Sequence, residues 1–408
     1  MKTTPVRSLL LMAGLVLGSL SAVAASAPNE ATVLKITGTA TMTIPGGAPQ
    51  ALQLGSKIPQ GATVNTGPGA ELHIQPFDGT VTTINANTSV TMDNLSLQTD
   101  NSGKITKQSA KLNLRSGNMV STIDPTKKSI NDYAVSTPKG VAAARGSQLS
   151  TGVQPGDVVT ISANADSISF TQANGTVVTI SQGSVLVTTP GAGGAAATTA
   201  VVTLASLANS TTPEAVAAKA AIQAGVTAMA TVLQSNLGGL SAQGATDLAA
   251  KVVTIAVIAN PTGAAATTAT IVNAMTTTTA ENANGAGSQA PNANDATAIA
   301  TIINAATVAA PEQSQAIASA SNAIVPPALQ AMISKVAFDN APPAQQAAIQ
   351  SDLATVKSNQ GEAAPPPLQN VAPPVVQPVV PDAITQPPTP NTPPSQPTPT
   401  ENTTIAIP

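Results

Sequence analysis

The stretch VLKITGTATMTI, Val33 to Ile44, decides the fold class of the first half of this chain. Leu34, Ile36, Ala40, Met42 and Ile44 share one side of an extended backbone, and Lys35, Thr37, Thr39, Thr41 and Thr43 share the other. Successive side chains on a strand point to opposite faces, so this period of two marks a half-buried strand. The same alternation returns in ELHIQ (71–75), AKLNLR (110–115) and VVTISA (158–163). Turn signals punctuate the runs: Pro45-Gly46-Gly47, Asp78-Gly79, Ser116-Gly117, Pro155-Gly156 and Asn174-Gly175. Short strands at such spacing predict a mainly β domain over about 31–189, either an elongated β-roll or solenoid-like coil or a sandwich of short strands. GTVTTINANTSVTM, from Gly79, is echoed by GTVVTISQGSVLVT, from Gly175. Two copies fall short of a solenoid repeat.

Beyond this zone the pattern changes. Residues 198–358 are Ala-rich with helical spacing, which predicts an all-α region of short helices. Thr212, Pro213 and Glu214 form a helix start, Val226, Met229, Leu233 and Leu237 follow at steps of three and four, and Gly238 marks the stop. Leu329, Ile333 and Val336 repeat the spacing. Prolines 261, 291, 311, 326 and 342 divide the zone, and the polar run from Thr276 reads as a flexible break. Residues 362–408 form a Pro-rich tail without apolar periodicity, expected to be polyproline II or disordered and to serve as a spacer.

Lys2 and Arg7 precede the apolar run Ser8–Ala25, which ends in Val23-Ala24-Ala25. This order predicts a signal peptide over 1–25 and export to the periplasm or cell surface. The alternative is an uncleaved helix that anchors the chain in the membrane. The chain has no Cys, so an exported fold rests on packing and backbone hydrogen bonds. AAKVVTIAVIAN (249–260) carries Lys251 and is too short to be a second span.

The composition narrows the chemistry. One Tyr and three Phe in 408 residues, with no Trp, argue against an enzyme built round a large pocket. A net charge of −3 without a cluster of Lys and Arg excludes nucleic-acid binding. No nucleophile elbow, phosphate loop, dinucleotide fingerprint or zinc motif is present. His73, the only histidine, falls on the polar side of ELHIQ and is expected in solvent. Asp100-Asn101-Ser102-Gly103 reads as a polar turn, because calcium requires more oxygen ligands. Lys104, Lys107, Lys111 and Arg115 read as a solvated basic run. No catalytic, cofactor-binding or metal residue is assigned, and no cofactor is expected.

STPKGVAAARGSQLS, Ser136 to Ser150, places Arg145 between short extended runs. Thr137-Pro138 sets a turn, Gly140 and Gly146 mark bends, and Arg145 is expected to cap or pair within that turn. Ahead of this block stand LQLGSKIPQGATVNTGPGAELHI, with Leu52, Gly55, Gly61, Thr66 and Gly67; PFDGTVTTINANTSV, with Phe77, Asp78 and Gly79; and LNLRSGNMV. GSVLV comes after it. In this order and spacing the region from Ala31 to Thr189 resembles the FecR-type extracytoplasmic domain. The resemblance implies an elongated, mostly β, non-catalytic domain used for protein contact. Its better-known members relay a signal from a TonB-dependent receptor to a sigma factor through a cytoplasmic segment ahead of a membrane helix. Here about seven residues precede the apolar run. The expectation is therefore a non-enzymatic exported envelope module that binds another envelope protein or a surface polymer, through strand edges or a flat β surface. A membrane-anchored regulator acting on a sigma factor is the alternative. A membrane is a partner only if the N-terminal helix stays, and no small-molecule substrate is evident.

Overall fold

The computed structural model describes residues 30–189, 198–282 and 293–359. The expected signal peptide, the Pro-rich tail and Pro291 lie outside them. The first strands are β1 (Glu30–Thr37), β2 (Ala40–Thr43), β3 (Gln50–Ala51), β4 (Lys57–Pro59), β5 (Thr63–Thr66), β6 (Glu71–Gln75), β7 (Thr80–Ile84), β8 (Ser89–Thr99) and β9 (Ile105–Ile123). They are followed by β10 (Asn131–Thr137), β11 (Gly140–Ala144), β12 (Gln148–Gln154), β13 (Val158–Ala163), β14 (Ile168–Gln172), β15 (Val177–Ile180), β16 (Val185–Thr189) and β17 (Thr198–Val202).

These strands make two sheets that share β9. One sheet runs β4-β1-β6-β7-β9-β12-β13-β16-β17 and is antiparallel throughout. The other runs β3-β2-β5-β8-β9-β10-β11-β14-β15, with only β9 and β10 parallel. The N-terminal part of β9 pairs with β8 up to Ser116, and its C-terminal part pairs with β12 from Gly117 onward. After β9 the chain lays down hairpins alternately, β10–β11 in the second sheet, β12–β13 in the first, then β14–β15 and β16–β17.

Ser116-Gly117, expected to be a turn, is thus the point where one continuous strand leaves one sheet and enters the other. Gly117 has φ +90°, and a Cβ there would lie 2.3 Å from Thr88 Oγ1. Both the backbone and the neighbouring strand exclude a side chain. The expected turn is instead a bend inside the continuous strand β9, and such a bend leaves the same local mark as a turn.

One core fills the space between the sheets. Leu72, Ile74, Ile84, Met119, Ile161 and Leu186 enter it from one side, and Val64, Met92, Leu112, Leu114, Val135 and Phe170 from the other. Tyr133 is fully buried here. Its hydroxyl lies 2.6 Å from Ser121 Oγ and 2.9 Å from Thr82 Oγ1, which ties β10 to β9 and β7 across the sandwich. Burial pushes the phenol up to about 12, so it keeps its proton for those bonds. The opening stretch departs from strict alternation. A bulge between Val33 and Lys35 sends Val33 and Ile36 into the sandwich and Leu34 out to the helical layer, where it packs on Val81 and Leu237. Ile44 is 38% exposed rather than buried with Ala40.

The helices are α1 (Leu204–Leu207), α2 (Pro213–Gln234), α3 (Ala242–Ala259), α4 (Ala264–Asn282), α5 (Ala293–Ala309), α6 (Ser314–Asn322), α7 (Pro327–Asn340) and α8 (Pro343–Asn359). Thr212 caps α2 as read, its hydroxyl accepting from the Ala215 N–H at 3.3 Å. The helix stops at Gln234, and Leu237 and Gly238 lie in a separate turn beyond it. The break expected from Thr276 begins later, because α4 continues to Asn282; residues 283–292 lie outside those described. Helices α2, α4, α6 and α8 neighbour one another in one row, and α3, α5 and α7 in a second. This is the packing of a helical-repeat array, in which each unit covers the next. The joints after α3 and α5 match: Asn260 and Ala310 have φ/ψ of −144°/78° and −141°/75°, each followed by Pro.

The helical array is seated on the outer face of the first sheet. Ala165, Val185 and Val187 join the core of the helices. Beside them runs a buried polar seam. Asn164 Nδ2 donates to Ser150 Oγ at 2.7 Å and to Gln148 Oε1 at 3.2 Å, Gln148 Nε2 donates to Thr122 Oγ1, and Ser150 Oγ donates to the Ala221 carbonyl of α2. Gly225 of α2 lies directly on this seam; a Cβ there would be 2.3 Å from Asn164 Nδ2. Helices α2 and α3 have the length and apolarity of a membrane span, but in this fold α2 lies on the sheet and α3 packs against α2, α5 and the 124–130 connection.

Three substitutions test this architecture. Gly117→Ala should lower stability by at least about 1–3 kcal/mol from backbone strain alone. Gly103→Ala, at similar φ but with open space, should cost less in the same urea titration. Gly225→Val should push α2 off the seam at a cost of about 1–3 kcal/mol. Limited proteolysis should then cut the helical region before the strand region, and an unchanged cleavage pattern would refute the role given to Gly225.

Candidate functional site

Three connections between the sheets gather at one end of the sandwich. Residues 124–130 lead from β9 to β10, 145–147 from β11 to β12, and 164–167 from β13 to β14. Ser147 locks two of them together, its Oγ accepting from the Asp166 N–H at 2.9 Å and donating to the Asp166 carbonyl at 3.2 Å. The Ser147 carbonyl also accepts from the Ile123 N–H at 2.9 Å. Gly146 touches the third connection, where a Cβ would lie 2.7 Å from Pro125 Cα. The glycine in the Arg-Gly pair is therefore required by contact between two chain crossings.

Helix α3 closes the fourth side. Asp124, fully buried, accepts from the Ser241 N–H at 2.8 Å, from Ser241 Oγ at 3.2 Å, and from Thr126 N and Oγ1 at 2.9 and 2.7 Å. Ser241 is the N-cap of α3, so one carboxylate ends the long strand and holds the start of the helix. Burial alone would raise its pKa, but these hydrogen bonds together outweigh it and hold the group below its ordinary 3.8.

Between these elements lies a groove of about 490 Å³. Lys128, Arg145 and Ser167 face it from the strand region, and Asp247 and Lys251 face it from α3. Lys251 Nζ reaches Asp166 Oδ1 at 2.7 Å, and Asp247 Oδ1 accepts from Gln243 Nε2 at 2.7 Å. Arg145 is exposed and, among the described residues, makes no hydrogen bond or ion pair. The expectation that it caps or pairs within its turn is corrected: the geometry that Gly146 imposes turns it outward into the groove.

His73 also differs from expectation, being 1% exposed. Its Nε2 lies 2.7 Å from Glu71 Oε1 and its Nδ1 3.1 Å from Thr83 Oγ1. The bond from His73 holds Glu71 below its ordinary value against the opposing effect of burial. Alternation puts His73 on the polar side of ELHIQ, but that side faces the helical region, to which Gln75 and Lys35 bond at Gly238 and Ser235, rather than open solvent. A Thr–His–Glu chain of this kind resembles a nucleophile relay, yet burial of His73 and Thr83 keeps a substrate from it. Asp100 makes the polar turn that was read, its Oδ1 accepting from Ser102 N and Oγ and from Lys104 N.

Sequence reading missed Asp124, Asp166 and Lys251. Asp124-Pro125-Thr126 carried a capping signal, and Lys251 stood out as a lone cation in an apolar helix. Nothing local marked Asp166, whose partner is 85 residues away.

The described residues thus form a two-sheet body with a helical layer on the outer face of one sheet and a charged groove at one end. Residues 62–186, from β5 into β16, match the family model described as FecR protein, so this part of the chain is a FecR domain. Two solved structures of a candidate anti-sigma factor from Parabacteroides distasonis ATCC 8503, at 2.50 and 1.65 Å, are similar to this chain at 12% and 11% identity. Each alignment has a TM-score of 0.27 and covers 35% of this chain and 59% of the other. No curated protein matches the chain.

Asp124 gives this region a pH dependence. A carboxylate whose pKa is depressed on folding contributes stability above its unfolded value and loses it as pH falls through the folded one. Stability should therefore begin to decline as the pH falls below about 5 and go on declining through the folded-state pKa, which lies below 3.8, as Asp124 takes up a proton. Asp124→Asn should cost about 1–3 kcal/mol at neutral pH and flatten that part of the profile, as read by urea midpoints across the range.

Proposed function

We propose that this chain is a FecR-type regulator of the cell envelope, exported or anchored there, that acts by binding protein partners and carries out no chemistry of its own. The observation that carries this reading is the FecR match over residues 62–186, which falls on the two-sheet body and includes Arg145 and all three connections in full. Burial of its one imidazole supports a non-catalytic role. In this reading residues 1–25 direct export or anchor the chain, 31–189 and 198–358 act together as the binding body, and 362–408 serve as a spacer.

A second reading is a structural envelope module without a part in signalling. It is favoured by strand β15, where Val177 is 62% exposed and the outer backbone edge has no strand partner among the described residues, which suits β-augmentation. Deleting the gene and profiling transcripts separates the two. The regulator reading expects a coherent change in genes under one envelope-responsive sigma factor, restored by the full chain. Recovery of an envelope partner by crosslinking in cells, with transcripts unchanged, would leave the structural module; neither result would refute both.

A further inference from the structure

We propose that the groove between the sheet connections and α3 binds a peptide through a carboxylate, with Arg145 as its main contact and Lys128 beside it. The inference goes beyond the regulator reading and does not depend on it.

The charges in the groove are not equally committed. Lys251 and Asp166 neutralise each other at 2.7 Å, and Asp247 takes a hydrogen bond from Gln243. Arg145 and Lys128 are exposed and have no partner among the described residues. The uncommitted charge is therefore positive, although the chain as a whole carries −3.

The backbone that carries Arg145 is held on both sides. Ala144 is paired in β11 opposite Tyr133, Gly146 is pressed against Pro125, and Ser147 is bonded twice to Asp166. Holding the backbone in advance lowers the ordering cost of binding. A guanidinium offers a planar fork of donors that fits a carboxylate with two parallel hydrogen bonds.

The rest of the lining selects among anions. Asp247, whose charge no cation in the groove balances, would repel a polyanion such as a phosphate polymer, whereas a peptide brings N–H groups that this carboxylate and the exposed Ser167 hydroxyl can accept. A volume of about 490 Å³ falls within the range of small-ligand and short-peptide sites. A terminal carboxylate and an acidic side chain present the same group, and both belong to the proposal.

The test uses the purified full chain and fluorescently labelled short alanine peptides in three forms: free C-terminus, amidated C-terminus, and amidated with one internal Asp. Anisotropy should show binding of the first, the third or both, and the pattern identifies which carboxylate is read. The amidated peptide without Asp should not bind. Arg145→Gln should weaken binding about tenfold or more, as expected for loss of a charged hydrogen-bonded contact. Its melting curve should match the parent, because Arg145 has no structural partner. Lys128→Gln should weaken binding less, and it serves as the second variant if Arg145→Gln melts early. The proposal is overturned if no peptide binds, if the acid-free amide binds equally well, if the folded Arg145→Gln variant binds as the parent does, or if inorganic phosphate competes as strongly as the peptide carboxylate.

Discussion

The structure depends on one strand that belongs to two sheets. β9 carries Leu112 and Leu114 on the inner face of one sheet and Met119 and Ile123 on the inner face of the other, with Gly117 at the change. A strand can make that passage only where the backbone takes a positive φ and no Cβ intrudes on the neighbouring chain. Once it is made, the two sheets are fixed face to face, and each later hairpin adds to one or the other in turn. The connections then fall at the ends of the sandwich, and three of them meet beside Pro125 and Asp166. The groove follows from this order of strands.

The seating of the helices rests on a second constraint, that of distance. Alanine and glycine faces let α2 approach the sheet until Gly225 touches Asn164 and Gln148. Apolar contacts at Val185, Val187 and Ala165 supply the driving force. The polar seam adds little net stability but fixes position, because a buried amide left without its partner is costly. His73 lies on the same sheet: Lys35, its cross-strand partner, bonds to Ser235 and Gln75 to the Gly238 carbonyl, so the end of α2 and the turn beyond it reach this part of the sheet.

Much of this was legible. Alternation found the strands at 71–75 and 158–163, and Thr212-Pro213-Glu214 found the start of α2. Four of the five internal prolines fall at joints between helices, as read. Other features were legible only in part. Alternation locates a strand but does not say which of its faces meets protein, and so it failed for His73. A bulge resets the alternation without a residue that announces it, which misplaced Leu34. The Arg-Gly pair was rightly taken as a structural bend, but the direction of Arg145 depended on Pro125, which belongs to another connection.

The sequence by itself determined the two regions, their classes of secondary structure and the resemblance to a FecR domain, because each of these is written in local spacing and in the order of motifs. The tertiary structure alone decided that Gly117 joins two sheets, that the helices cover one of them, and that Arg145, Lys128, Asp166 and Lys251 share a groove. Those residues lie up to 123 positions apart in sequence, between Lys128 and Lys251. No local pattern records such a separation; only the pairing of strands and the docking of α3 through Asp124 bring them together.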